Sequence, residues 1–213
     1  MTRFPVVLSA PSGVGKTTIA RQLMSLRTDV GYSVSCTTRE PRAGEVTGVD
    51  YHFLSQAEFV ARRDAREFAE WAEVHGRLYG TLRNEVERVM DDGRHVIMDI
   101  DVQGAAQLAK SFPESVLVFV LPPSVEALVD RLRSRNTESD AQLATRLRNA
   151  HSELQQAGHY HHIVVNDNLD KAVRQVSAII DVEGLNRSRI YALEQQVSGL
   201  LRTLEEQIAR YKP

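Results

Sequence analysis

The sequence predicts an α/β fold, a parallel sheet flanked by helices. Three observations carry that reading. Short apolar runs rich in Val and Ile alternate with amphipathic stretches of helical period, the rhythm of strand–helix–strand crossovers. A Gly-containing loop separates the first such run from the first helix, as a phosphate-binding strand–loop–helix unit requires. With 42% hydrophobic and 25% charged residues over 213 positions, the chain is a folded domain and not a disordered one.

The elements follow in order. Phe4 to Leu8 reads as a buried strand and Lys16 to Leu26 as a helix. Residues 33–92 hold short strand-like pieces, turn signals and many polar residues; this is too much for one crossover and reads as an inserted substrate-binding subdomain. His95 to Ile100 and Ser115 to Leu121 read as two more buried strands, each followed by a helical pattern, Gln103 to Lys110 and Ser124 to Arg133. Residues 134–146 are short, polar and Arg-rich, a lid between two helices. Ile163 to Val165 is a last short strand. Leu169 to Val182 is a helix with Ala172, Val173, Val176, Ile179 and Ile180 on one side. The domain then spans 1–186, with its core in 1–32, 93–133 and 147–186. Parallel sheets bind ligands at the carboxyl ends of their strands, so chemistry is expected just after Leu8, Ile100 and Leu121.

Beyond it, Arg187 to Tyr211 reads as an amphipathic helix, with Ile190, Leu193, Val197, Leu200 and Leu204 at 3–4 spacing and Leu201 and Ile208 widening the stripe. Gly199 interrupts it. Packing back onto its own domain and pairing with another subunit are both open to it.

Composition narrows the function classes. Lys and Arg number 26 against 28 Asp and Glu, a balance that gives no support for general nucleic-acid binding. The single cysteine, Cys36, excludes an internal disulfide and a four-cysteine zinc site. Runs such as Val116 to Leu121 fall far short of the roughly 20 residues that span a bilayer, and the N-terminus has no signal-peptide core. A cytoplasmic enzyme is the expectation. Gly158-His159-Tyr160-His161-His162 invites a metal reading, but no carboxylate is evidently joined to it, and a loop entering a strand explains it as well.

After the first strand comes Ser9-Ala10-Pro11-Ser12-Gly13-Val14-Gly15-Lys16-Thr17-Thr18. It fits the phosphate-loop pattern G-x-x-x-x-G-K-[ST] except that Ala10 replaces the first Gly. Glycines let successive N–H groups wrap a phosphate, Lys16 neutralises the β/γ-phosphates, and the Thr17 hydroxyl reaches Mg²⁺. The N-terminus of the helix adds its positive dipole. A nucleoside triphosphate is the expected ligand. Further on, Arg39 and Arg42 flank Pro41 among hydroxyls. Two guanidinium groups there suit a doubly charged phosphate, with Tyr51 as a further donor, although R-x-x-R is also the pattern of a solvated loop.

At these residues the chain resembles the guanylate kinases. The family pattern S-x-T-T-R-x-P-R-x-G-E-x-x-G-x-D-Y-x-F is matched from Ser35 to Phe53. Two further stretches match at Glu67 to Thr81 and at Asp99-Ile100-Asp101-Val102-Gln103-Gly104. The resemblance runs from about Val6 to Ile180 and implies that the insert 33–92 binds GMP. By resemblance Arg39, Arg42 and Tyr51 hold the GMP phosphate with Tyr79, while Ser35, Glu70 and Thr81 read guanine. A carboxylate at Glu70 accepts from N1–H and the 2-amino group; adenine offers neither donor. Asp99 resembles the acid that anchors the water shell of Mg²⁺, and one of Asp99 and Asp101 lies near the GMP base; sequence does not divide the pair, and Asp101 also suits a helix cap. Asp101 is grouped with the GMP ligands and Asp99 with the metal.

In the lid, Arg131-Leu132-Arg133-Ser134-Arg135-Asn136-Thr137-Glu138 resembles R-L-x-x-R-G-T-[ED], with Asn136 in place of Gly. The resemblance assigns Arg135 and Arg146 to the transferring phosphoryl, beside Lys16 and Arg39, with Arg131 assisting at the triphosphate. Asn166 matches a position near adenine, and a turn before the next helix suits it too. The implied reaction is ATP + GMP → ADP + GDP with Mg²⁺. Two rivals stand beside it: a non-catalytic phosphopeptide-binding module, which has no need of Lys16, Thr17 and the lid arginines, and a kinase for another small acceptor, disfavoured by Ser35, Glu70 and Thr81.

Overall fold

The protein is described by a computed structural model covering residues 2–74, 76–133, 140–190 and 192–211. In chain order, strand β1 (Pro5–Ser9) leads into helix α1 (Lys16–Leu26) and strand β2 (Val30–Tyr32). Next come β3 (Cys36–Thr37), β4 (His52–Phe53), α2 (Gln56–Asp64), β5 (Phe68–Val74), β6 (Arg77–Leu82) and α3 (Arg83–Asp91). The chain continues with β7 (His95–Asp99), α4 (Val102–Ser111), β8 (Val116–Leu121), α5 (Val125–Arg133), α6 (Asp140–Leu154), β9 (His162–Val165), α7 (Leu169–Gly184) and α8 (Leu193–Arg210).

Five strands form the main sheet in the order β2-β7-β1-β8-β9, every pair parallel. The strand period of two sends alternate residues to opposite faces, and both faces are covered. Val6 and Leu8 of β1 join Ile97, Val118 and Val120 under α1, α5 and α7, where Leu23, Leu132, Val173 and Val176 close the layer. Val7 joins Val96, Met98 and Leu117 under α3 and α4, where Val86, Val89, Ala105 and Leu108 pack. This two-sided burial is why the strands read as continuous apolar runs.

The insert builds a second, four-stranded sheet, β4-β3-β6-β5, from short strands. Its register sets Glu70 opposite Thr81, and Thr37 opposite Tyr79. α2 starts at a capping box in which Ser55 and Glu58 satisfy each other's backbone N–H groups. α3, reckoned with the insert at 33–92, buries Val86 and Val89 in the main core, so the insert shares its last helix with the central sheet.

Two other expectations shift. Residues 140–146 of the lid are helical, the opening turns of an α6 that runs unbroken to Leu154; residues 134–139, including Arg135 and Asn136, lie outside the described residues. In the tail, a 3-10 turn at Arg187–Arg189 precedes α8, so Ile190 lies before that helix. α8 passes through Gly199 without a break and buries none of its residues. Leu200, Leu201, Leu204 and Ile208 are all exposed, which removes packing against its own domain as the account of its stripe. No described helix is long and apolar enough to cross a membrane.

Candidate active site

The loop between β1 and α1 curls over the amino end of α1. Gly13 (φ 88°) and Gly15 (φ 103°) take the left-handed conformation that favours glycine. Ala10 has no positive φ and is fully buried, so the departure from Gly there asks nothing of the backbone. Lys16 folds back to donate to the Ala10 carbonyl at 2.9 Å. Burial pushes its ammonium below the usual range, opposed by Glu153, Asp99 and Asp101. The N-cap of α1 has no side-chain partner, so the helix start offers its N–H groups to an anion. Ser12 is half-buried, Val14 is buried, and Thr17 and Thr18 are exposed on the first turn.

Asp99 ends β7 beside this loop. Its Oδ2 accepts from the Thr17 hydroxyl and its Oδ1 from the Tyr32 phenol, each at 2.5 Å. Thr17 and Asp99 thus present hard oxygens side by side, a donor set suited to Mg²⁺, which takes one or two protein oxygens and fills the rest with phosphates and water. Asp101 lies two residues on and caps α4, its Oδ1 accepting from Gly104 N–H at 2.8 Å. The cap expected of Asp101 is therefore formed.

The acceptor side has two ends. At one, Arg39 pairs with Glu45 at 2.8 Å, and its guanidinium lies 5.4 Å from the Tyr51 ring and 5.7 Å from Phe53. That ion pair raises the Arg39 pKa further. Tyr51 and Tyr79 meet edge to face at 6.1 Å. Arg42 is exposed, with its backbone N–H held by Glu45 at 2.7 Å. At the other end Glu70 is buried, 4% exposed, and its Oε1 accepts from Thr81 at 2.6 Å. Ser35 Oγ lies 3.3 Å from the Thr81 hydroxyl. Burial pushes the Glu70 carboxyl up to about 7, with Asp101 adding to the rise and Thr81 opposing it.

Over the phosphate loop, Arg131 donates to the Val14 carbonyl at 3.2 Å and the Asn166 carbonyl at 3.0 Å. Arg146 reaches Ser12 Oγ at 3.1 Å. Asn166, buried, donates to the Val14 carbonyl at 2.7 Å. Arg133 and Arg148 point to solvent. The structure therefore brings Lys16, Thr17, Asp99, Arg131, Arg146 and Asn166 together at one loop.

The histidines of 159–162 serve local structure: His161 accepts from Leu117 N–H at 3.1 Å, and His162 meets Glu183 at 2.8 Å. Burial pushes the Cys36 thiol up to about 12, leaving it unreactive. Tyr32 is not among the residues the sequence motifs single out. The signal for it was present: it ends a strand at the same edge of the sheet where Asp99 ends the neighbouring one.

Comparison with known proteins bears on this geometry. The guanylate kinase family profile matches residues 2–183. A guanylate kinase of Chelativorans sp. (strain BNC1) is 47% identical over 197 residues, 92% of this chain and 90% of that one. One from Rhizobium meliloti (strain 1021) is 46% identical with the same coverage. The crystal structure of guanylate kinase from Anaplasma phagocytophilum superposes with a TM-score of 0.77 at 31% identity, covering 93% of this chain and 95% of that one.

Proposed function

The chain belongs to the guanylate kinase family, and from that premise we infer that it transfers the γ-phosphoryl group of ATP to GMP or dGMP, giving ADP and GDP. It is an ATP-dependent nucleoside monophosphate kinase, a transferase of purine nucleotide metabolism and GMP recycling. The observation that carries the choice of acceptor is Glu70: a buried carboxylate fixed by Thr81, set to accept from N1–H and the 2-amino group of guanine. A base without those donors would leave the buried carboxylate without the bonds that offset its burial, and sites built on such bonds discriminate strongly.

Position in the structure and the family resemblance support the other roles. Residues 12–18 wrap the ATP phosphates with their N–H groups, and Lys16 sets its charge against the β- and γ-phosphates. Arg131 and Asn166, both bonded to Val14 or its neighbour in space, hold the donor side near adenine. Arg39, Arg42, Tyr51 and Tyr79 grip the GMP phosphate, while Ser35, Glu70, Thr81 and Asp101 surround the base. Thr17, and Asp99 through water, would hold Mg²⁺, which would supply charge neutralisation at the phosphates. Arg146 faces the transferring group from above the phosphate loop, and the resemblance assigns Arg135 to that group as well. Phosphoryl transfer needs alignment and charge far more than covalent chemistry, and that is what these residues offer.

The protein works in the cytoplasm on small molecules, without nucleic acid or membrane, and the exposed stripe of α8 is its route to a homo-oligomer. A coupled ADP-release assay with ATP and Mg²⁺, offering GMP, dGMP, AMP, CMP and UMP, tests the central reading. Turnover confined to GMP and dGMP supports it. Equal turnover with AMP, or none with any acceptor despite GMP binding, overturns it.

A further inference from the structure

Gly104 is the third residue of α4, inside a helix where glycine is the poorest choice after proline. Its backbone does not require glycine, since its φ is not positive. Space does. A Cβ at 104 would lie 2.6 Å from Glu70 Oε2, an approach that real Cβ atoms essentially never make, and a tight 3.2 Å from Glu70 Cδ. That oxygen belongs to the end of a side chain and not to backbone, so the added methyl group would move the carboxylate and leave the fold in place.

The carboxylate has little freedom to retreat while keeping its aim. Its other oxygen holds the Thr81 hydroxyl at 2.6 Å. The strand that carries it is bolted to α4 on both sides of Glu70. Gln107 accepts from Trp71 N–H at 3.2 Å and donates to the Trp71 carbonyl at 2.7 Å, and Ser111 donates to the Ala69 carbonyl at 2.7 Å. β5 is the edge strand of its sheet, and these three bonds supply the partners a further strand would have given.

We propose that Gly104 is a specificity-determining position: the missing side chain leaves the Glu70 carboxylate at the depth where it meets guanine, with Gln107 and Ser111 as positioning residues that hold β5 against α4. The proposal rests on the reading of Glu70 as the guanine acceptor. The helix keeps glycine here, at a cost to its own stability, because the acceptor site needs the room.

The test compares Gly104→Ala, Glu70→Gln and Gly104→Ala in a Glu70→Ala background, each assayed for KM of GMP, KM of ATP, turnover with IMP, and melting temperature. IMP lacks the 2-amino group, so the preference for GMP over IMP reports contact with that group. Gly104→Ala is expected to raise the KM for GMP about tenfold and shrink the GMP-over-IMP preference, as displaced hydrogen bonding does. The KM for ATP stays within about twofold and the melting temperature does not fall, since alanine is the better helix former. In the Glu70→Ala background the added methyl group changes nothing further, because its collision partner is gone. An unchanged KM for GMP in Gly104→Ala, while Glu70→Gln raises it, overturns the proposal alone. So does an equal loss in the KM for ATP and the melting temperature. An unchanged KM for GMP in Glu70→Gln overturns the reading of Glu70 and the proposal with it.

Discussion

Tyr32 and Asp99 meet where β2 and β7 end, the phenol donating to one carboxylate oxygen at 2.5 Å while Thr17 takes the other. Both oxygens of Asp99 are thus oriented by hydroxyls drawn from two different elements. Burial and the nearby Asp99 charge together push the Tyr32 pKa well above the usual range, so the phenol stays a donor at every physiological pH.

Tyr32→Phe keeps the ring and removes that bond. The Mg²⁺ concentration for half-maximal turnover is expected to rise about tenfold, the usual cost of losing a residue that orients a metal-associated carboxylate, with the KM for GMP little changed. Magnesium titrations of the two proteins, read also as heat of ATP binding with and without Mg²⁺, check it.

With Glu70 as the proposed guanine acceptor, GMP binding is expected to depend on pH. Its carboxyl titrates near 7, and guanine requires the ionised form. Below about pH 7 the affinity is expected to weaken up to tenfold per pH unit, with a proton released as GMP binds. Calorimetry in two buffers of different ionisation enthalpy measures that proton. Because the GMP phosphate also titrates in this range, Glu70→Gln is the reference: the difference in slope between the two proteins belongs to Glu70.

Arg146→Ala is expected to lower turnover by about two orders of magnitude, the scale of losing one charge-stabilising donor in a transition state. GMP affinity is expected to stay near that of the parent, since Arg146 is anchored to Ser12 of the phosphate loop and to the Leu132 carbonyl. Steady-state kinetics alongside equilibrium GMP binding separates the two.

Glu45→Gln removes the ion pair that aims Arg39, in which both side chains are mostly covered. The KM for GMP is expected to rise about fivefold, the worth of one such pair, with turnover at saturating GMP preserved.

Leu23 is fully buried between α1 and the sheet. Leu23→Ala is expected to cost about 3 kcal/mol of stability through lost burial and the cavity left behind. Denaturant unfolding should show a lower midpoint at unchanged slope.

What could be read from the sequence follows how close in the chain the interacting residues lie. The phosphate loop, Ser9 to Thr18, is one contiguous segment whose residue types state their own geometry, and the strands of the main sheet are continuous apolar runs because both faces are covered. Glu70 is different. On spacing alone it is an ordinary carboxylate beside Trp71, since Thr81 and Ser35 reach it from other strands; only the family resemblance singled it out. The pairings of Tyr32 with Asp99, 67 residues apart, and of Gln107 with Trp71, 36 apart, join distant segments, and only the shared strand ends hint at the first. α3 reads as part of the insert because its neighbours in sequence do, whereas its apolar side faces the main sheet. The stripe of α8 was legible as a helix, but a stripe does not say what it faces, and here it faces solvent.

The nine residues from Asp99 to Gln107 join the carboxylate that meets Thr17, the α4 cap, the gap for Glu70 and the bolt on β5. One residue added or removed there would turn α4 by about 100°, and the site would lose its grip on both nucleotides at once. Residues 112–115 link α4 to β8; Phe112 packs into the core there, but the segment does not set the spacing between Asp99 and Glu70. Length variation among descendants of this chain should therefore collect at the far end of α4 and be purged from its start, leaving a ruler of fixed length between donor and acceptor.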